Sequence, residues 1–440
     1  MLKMRVLIIA DEVWNDYVYG NNVLTNWFTG MDVELAEIYA SPGLPINNVC
    51  DSYFQITDGQ MARSIVGGAK AGGRITKAEK PEVLQKAKIN AQRQGVYGLM
   101  KKLSMTFHTP VLILRDFIWL NGRYNKKALC QFVQEFNPDV VFCPRLITPK
   151  LMRLEKIVST MTKAPFVAFT GDSEVEMTNC KLYTLYGIRR WLTHRRFSKH
   201  SILYSHYLMH SADQAKEYHE EFGVDTSSIF KCGDFAESFM PKNVENPIRL
   251  VYAGRLYCNR WKSLAEIGKA LQVINKDRVV MVLDVYTQDK LTGEQQKALT
   301  EGRYIYMKGS VTPKELAQKY READIALHVE SFDEYYRNVT RVSFSTKIID
   351  LLASGCAVMA ICWEKHCGYQ YLKSNDAAFC CPDYKSILPQ LMQIVENPKL
   401  INEYQKKAYD CGKQNHSRDV IQKQLLEVFQ NSISNNKRMF

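Results

Sequence analysis

Three cations follow one short apolar run: Ala253-Gly254-Arg255-Leu256 leads into Arg260, Trp261 and Lys262, where a helical pattern opens. Side-chain charge beside a helix N-terminus makes an anion site, because free backbone amides and the helix dipole add to it. A solvated basic turn is the alternative reading. A second stretch, 342–350, carries Ser343, Ser345, Thr346 and Lys347 ahead of Asp350 and the turn Ser354-Gly355. Ser345 or Thr346 is expected to cap a helix whose first amides, with Lys347, face a diphosphate. Asp350, one turn on, offers a carboxylate to ribose hydroxyls, or serves only as a favourable first-turn charge. At 328–334, His328, Glu330, Asp333 and Glu334 crowd one strand end, inviting a shifted pKa or sugar-hydroxyl binding as much as an ordinary acidic surface. Two weaker loops complete the set. Thr170-Gly171-Asp172-Ser173-Glu174 puts Asp172 after a strand, and Tyr19-Gly20-Asn21-Asn22 follows the first strand, with Gly20 permitting close backbone approach.

The elements that must hold these residues alternate between short apolar runs and helical patterns, the signature of parallel sheets covered by helices. In the second half, strands are expected at 249–254, 279–286, 304–309, 324–329 and 357–362, with helices at 262–274, 293–301, 313–323 and 346–353. In the first half, strands are expected at 5–10, 33–39, 140–143, 166–170, 202–204 and 229–232. An insertion lies between the second and third of these: 70–93 reads as irregular and 96–120 as helical. The reading is α/β, with two doubly wound Rossmann-like domains facing each other across a cleft: 1–240 for an acceptor and 241–440, with a C-terminal helix, for a donor. Residues 234–247 read as the linker, and the polar 431–437 is expected to fray from a last helix at 420–429. In open α/β folds, ligands settle at the C-terminal edges of the strands.

The 440 residues carry 46% hydrophobic and 24% charged residues, values of a folded globular protein, which excludes wholesale disorder and collagen-like repeats. A net charge of +12 favours an anionic partner: nucleotide phosphates, acidic lipid or nucleic acid. The near pairs Cys362 with Cys367 and Cys380 with Cys381 lack Cys-x2-Cys spacing and the His partners of a zinc site, so the thiols read as reduced packing residues of a cytosolic protein. The apolar part of the N-terminus is too short for a secretory signal, and no stretch is long enough to cross a bilayer. Membrane association would therefore be peripheral.

Taken together, these stretches resemble the GT-B glycosyltransferases, most closely family 4 and its polysaccharide-assembly relatives. The resemblance covers most of the chain and is strongest over 249–361. The family's Gly-Arg-Leu loop is similar to Gly254-Arg255-Leu256, and its diphosphate-binding lysine falls at Arg260 by spacing, with Lys262 the other candidate. The Gly before its base-recognition loop resembles Gly309-Ser310-Val311, and its Ala-Asp strand start resembles Ala323-Asp324. Its Glu-Ala-Met-Ala-x-Gly stretch resembles 350–355, which puts Asp350 in the place of the ribose-binding carboxylate. One departure stands out: the family's second Glu, eight residues earlier, falls on Val342, and Ser343, Ser345 and Lys347 replace its local chemistry.

The resemblance implies a UDP- or GDP-sugar donor whose nucleotide diphosphate leaves, stabilised by Arg255, Arg260 or Lys262, Lys347 and helix amides, with no metal or cofactor. Arg255, Lys347 and, on the acceptor side, Asp172 are the implied catalytic residues. Gly254, Gly309, Val311, Glu330, Ser343, Ser345, Thr346 and Asp350 would line the donor site, and Gly20, Asn21 and Asn22 the acceptor side. The implied activity is retaining hexosyl transfer to a glycan or lipid-linked glycan in surface polysaccharide assembly, in the cytoplasm and on the inner face of the cell membrane. The stretch 186–197, with four arginines among apolar residues at helical spacing, fits an anionic leaflet or a basic helix packed on its own domain. The segment 100–124 adds a second such surface. A sugar-nucleotide 2-epimerase and a silent nucleotide-binding scaffold remain alternatives. Nucleic-acid binding lacks any recognition module, and neither an Asp-x-Asp metal motif nor a Gly-x-Ser-x-Gly elbow is evident.

Overall fold

Runs apolar at every position become parallel strands buried on both faces, as Val6-Leu7-Ile8-Ile9 and Val358-Met359-Ala360-Ile361 illustrate by their complete burial. The computed structural model describes residues 3–17, 23–78, 108–144, 147–171, 177, 182–301 and 303–438. The chain forms two compact units, Met1–Ile229 with Gln422–Phe440, and Phe230–Ile421.

The first unit holds β1 (Met4–Ala10), β2 (Val33–Tyr39), β3 (Ser52–Gln55), β4 (Gly73–Ile75), β5 (Val140–Pro144), β6 (Phe166–Thr170), β7 (Tyr204–Met209) and β8 (Thr226–Ser228). They form one sheet in the order β4-β3-β2-β1-β5-β6-β7-β8. Its neighbours run parallel except at the β3–β4 edge. Two expectations fail here. A strand is expected at 202–204, but Ser201–Leu203 is a 3-10 turn and β7 starts at Tyr204. The strand expected at 229–232 is replaced by the polar edge strand β8, just before it. Ile229 and Cys232 gave an apolar signal because they are buried, without pairing in a strand. The insertion contributes β4 and the helix His108–Asn121, and 79–107 lies outside the described residues.

The second unit holds β9 (Ile248–Ala253), β10 (Met281–Tyr286), β11 (Ile305–Gly309), β12 (Ile325–Val329), β13 (Ala357–Ile361) and β14 (Phe379–Cys381). Their order, β11-β10-β9-β12-β13-β14, is the 3-2-1-4-5-6 arrangement of a doubly wound Rossmann sheet, parallel throughout. Alternate residues feed two cores. Leu250, Leu283, Leu327 and Met359 pack on one face, and Val251, Ala326, Val358 and Ala360 on the other, against Ile348 and Ile349. The helices Arg260–Ile274, Gly293–Thr300, Pro313–Arg321 and Lys347–Ala353 lie where the sequence patterns put them.

The last helix, Arg418–Arg438, does not fray after 429, and from Gln422 onward it belongs to the first unit rather than to a 241–440 domain. Polar residues hold it as firmly as apolar ones. Gln422 Nε2 donates to the Trp27 and Thr29 carbonyls at 2.7 and 2.8 Å, and Asn436 Nδ2 to the Lys163 carbonyl at 2.7 Å. Phe429 is fully buried against Phe142, their ring centroids 5.4 Å apart.

Candidate functional site

In the second unit's sheet, β9 and β12 are neighbours whose connections depart in opposite directions, so the crevice beyond their C-terminal ends is the topological switch point. Gly254-Arg255 directly follows β9, and Glu330 directly follows β12. The Gly254 amide donates to the Tyr286 carbonyl at 3.0 Å, and the Tyr252 hydroxyl donates to the Arg255 carbonyl at 2.7 Å. Asp289, beyond β10, accepts from the Leu256 amide at 2.6 Å and pairs with the Arg255 guanidinium. The Arg255 side chain nevertheless remains 62% exposed, so it retains donors facing solvent.

The other two cations of this loop are committed. Arg260 makes a bidentate pair with Glu330, Nε to Oε2 at 2.9 Å and Nη2 to Oε1 at 2.8 Å, and its guanidinium lies 4.5 Å from the Tyr257 ring centroid. Both partners are nearly buried. Burial raises the Glu330 pKa against the lowering pull of Arg260. In Arg260, burial is the largest influence and lowers the pKa, but Glu330, Tyr252 and Tyr257 together outweigh it and the pKa rises. Lys262 pairs with Asp333 at 2.8 Å, and Asn259 Nδ2 donates to the same carboxylate oxygen at 2.7 Å. These two hydrogen bonds lower the Asp333 pKa.

Lys347 is different. Its ammonium lies 3.5 Å from the Ala253 carbonyl, and it has no ion pair among the described residues. The residue keeps an exposed flank. Protein atoms crowding the ammonium, with Arg260 second, lower its pKa. Gly254 makes room for it: a Cβ there would fall on the Lys347 ammonium and 3.1 Å from the Tyr252 hydroxyl.

The expected side-chain cap is not made. Thr346 stands at the N-cap with a helical backbone, φ −58° and ψ −20°, and its side chain makes no cap bond. An N-cap side chain reaches its amides from extended backbone. Here the amides of Ile348 and Ile349 turn back to the carbonyls of Ser345 and Thr346, at 3.0 and 3.2 Å. Ser343, Ser345 and Thr346 are half-buried beside Lys347 in sequence. Asp350 is exposed and pairs with Lys231 at 2.6 Å. Gly309 ends β11 at φ +75° and accepts from the Thr287 amide at 2.9 Å, while Val311 packs partly buried on the core. Asp172, Gly20, Asn21 and Asn22 lie outside the described residues.

Sequence reasoning missed Asp289, although a carboxylate three residues past a predicted strand was its signal. It also found no imidazole partner for Cys362, and the fold supplies two. The ligand-type atoms of His328, Cys362 and His366 lie within 4.8 Å of one another, all buried. They come from β12, the end of β13 and the turn before Cys367–Ser374, so no spacing could reveal them. His366 Nδ1 accepts from the Gly368 amide at 3.1 Å, which leaves the proton of the neutral ring on Nε2. Burial, then neighbouring positive charge, pushes the His328 pKa well down and that of His366 to about 4. Burial and the nearby Arg260 thus favour the neutral form of both imidazoles.

No family model and no curated protein matches the chain. Solved structures do. The sucrose-phosphate synthase of Thermosynechococcus elongatus matches at TM-score 0.58 and 11% identity, covering 98% of this chain and 100% of that one. Anabaena HepE in complex with UDP matches at 0.58 and 12%, covering 97% and 100%. The α,α-trehalose-phosphate synthase (UDP-forming) of Burkholderia xenovorans in complex with glucose-6-phosphate matches at 0.55 and 9%, covering 97% and 100%. The chain spans about three fifths of the length of S. aureus TarM and pneumococcal GtfA, which it also matches. The fold is GT-B, that of these glycosyltransferases.

Proposed function

We propose that this chain is a glycosyltransferase, similar to family 4, that moves a hexosyl group from a UDP- or GDP-sugar to a glycan or lipid-linked glycan of a surface polysaccharide. The observation that carries this reading is Lys347, a lysine without a carboxylate partner set over Gly254 at the switch point of the second unit. Arg255 stands beside it with guanidinium donors still open to solvent. UDP in the HepE structure, which has the same fold, supports a nucleotide diphosphate as the ligand.

In the reaction, the bond between the sugar's anomeric carbon and the diphosphate oxygen breaks, its electron pair passing to that oxygen. The acceptor hydroxyl bonds to the anomeric carbon, and its proton passes to the departing diphosphate. Negative charge grows on the leaving oxygen, so donors aimed at the diphosphate act more strongly in the transition state than in the ground state. Lys347 and Arg255 supply those donors, without a metal. The paired Arg260–Glu330 and Lys262–Asp333 hold the loop that presents Arg255. Asp350 and Gly309 flank the nucleoside, and Asp172 serves the acceptor side with 20–22. Retention at the anomeric carbon, and work on the cytoplasmic face of a membrane, complete the reading.

The test is product analysis with UDP- and GDP-hexoses, with and without a membrane-extracted lipid-linked acceptor. Nucleotide diphosphate release that requires acceptor and survives EDTA is expected. Epimerised donor sugar formed without acceptor would overturn transfer in favour of a 2-epimerase.

A further inference from the structure

The first unit carries two helices whose outward sides are apolar. On His108–Asn121, Ile113, Phe117 and Leu120 are 38%, 57% and 67% exposed, and on Leu185–His200, Leu185, Ile188 and Leu192 are 51%, 45% and 43% exposed. Arg189 joins the helices through a two-point pair with Asp116, at 2.9 and 3.2 Å. At 100° per residue, Ile113, Phe117 and Leu120 fall to one side of Asp116, and the buried Trp119 falls to the other. In the same way, Leu185, Ile188 and Leu192 fall to one side of Arg189, and the buried Thr193 to the other. Each helix therefore carries three of these exposed apolar side chains on the flank away from its buried Trp119 or Thr193, six in all.

Charge identifies what covers this face. Residues 182–203 contain Arg189, Arg190, Arg195, Arg196 and Lys199 and no Asp or Glu. Arg195, Arg196 and Lys199 are exposed, and the Arg195 guanidinium lies 4.9 Å from the Trp191 ring centroid. The carboxylates that pair with this helix are already committed, Asp116 to Arg189, Glu221 to His194 and Glu155 to His200. Aliphatic side chains interleaved with cations suit the boundary of an anionic bilayer, where the apolar groups enter the acyl region while guanidinium groups reach lipid phosphates. A nucleic acid would engage the arginines and leave six apolar side chains in water.

We propose that the helices His108–Asn121 and Leu185–His200 form a docking face for an anionic lipid bilayer. Its purpose, though not its existence, rests on the lipid-linked acceptor of the reading above. The full chain should cosediment with vesicles of phosphatidylcholine mixed with phosphatidylglycerol, much less with phosphatidylcholine alone, and less as salt rises. The double variant Arg195→Glu with Arg196→Glu should cut partition about tenfold or more, as should Phe117→Glu with Leu192→Glu, at unchanged thermal midpoint. Because surface variants can misfold, the unaltered protein offers a second measure: a blue shift of tryptophan emission on vesicle addition, lost in Trp191→Phe. No cosedimentation with either vesicle, or equal partition of folded variants and wild type, would overturn the docking face. Lys347→Ala should cosediment like the wild type. Donor binding lost with vesicle binding kept therefore bears on the donor site alone, and the reverse on the docking face alone.

Discussion

At Lys347 the local forces favour an anion. The ammonium has no carboxylate partner among the described residues, and burial lowers its pKa from the ordinary 10.5. In the free protein, the folded state binds fewer protons than the unfolded chain between that lowered value and 10.5, so this group's contribution to stability improves as pH rises through the window. Ligand binding has the opposite sign, because a diphosphate needs the protonated form. Calorimetric affinity for nucleotide diphosphate should fall as pH rises through the lowered pKa, and Lys347→Met should flatten that limb. The neighbouring cations separate by burial. Glu330→Ala strands a nearly buried Arg260 and should cost about 3–5 kcal/mol in thermal or denaturant unfolding. Arg255→Ala removes a largely exposed pair and should cost less than about 1 kcal/mol while weakening donor affinity. The sequence showed which cations to weigh, since Arg255, Arg260 and Lys262 follow a strand and Lys347 opens a helix. It did not show which of them Glu330, Asp333 and Asp289 neutralise, because those pairings join residues tens of positions apart.

At the scale of elements, the loop after β9 works because Gly254 leaves a gap that the Lys347 ammonium fills. In Gly254→Ala, the added methyl displaces the flexible end of that side chain and presses on the Tyr252 hydroxyl. Donor affinity should therefore drop much more than the thermal midpoint, as scanning calorimetry and titration on the same sample would show. A large loss of stability with normal affinity would contradict this packing. In the second unit, β9, β10, β12 and β13 were legible because each is a mostly apolar run buried along nearly its whole length. The polar β8 and the short β3, β4 and β14 were not, since they rely on a neighbour's hydrogen bonds more than on their own apolar signal. The helix at Lys347 was found, but not its uncapped start, which depends on backbone angles that no residue type dictates.

Across the whole molecule, the chain ends in the unit where it began. Fully buried Phe429 pins the last helix to Phe142 of the first unit, so Phe429→Ala should cost about 3–5 kcal/mol. The expected readout is a lower thermal midpoint. Periodicity revealed this helix but not its destination, which is set by Gln422 and Asn436 bonding to backbone carbonyls of the first unit. The central claim is a metal-independent nucleotide diphosphate site in the second unit. Its most direct test is the thermal midpoint with UDP, GDP, ADP and CMP, each with and without EDTA, in wild type and Lys347→Ala. A ligand that binds only the folded state raises the midpoint by mass action. The account predicts a rise with UDP or GDP that EDTA leaves intact and Lys347→Ala largely removes; no shift with any nucleotide, or a shift abolished by EDTA, would contradict it.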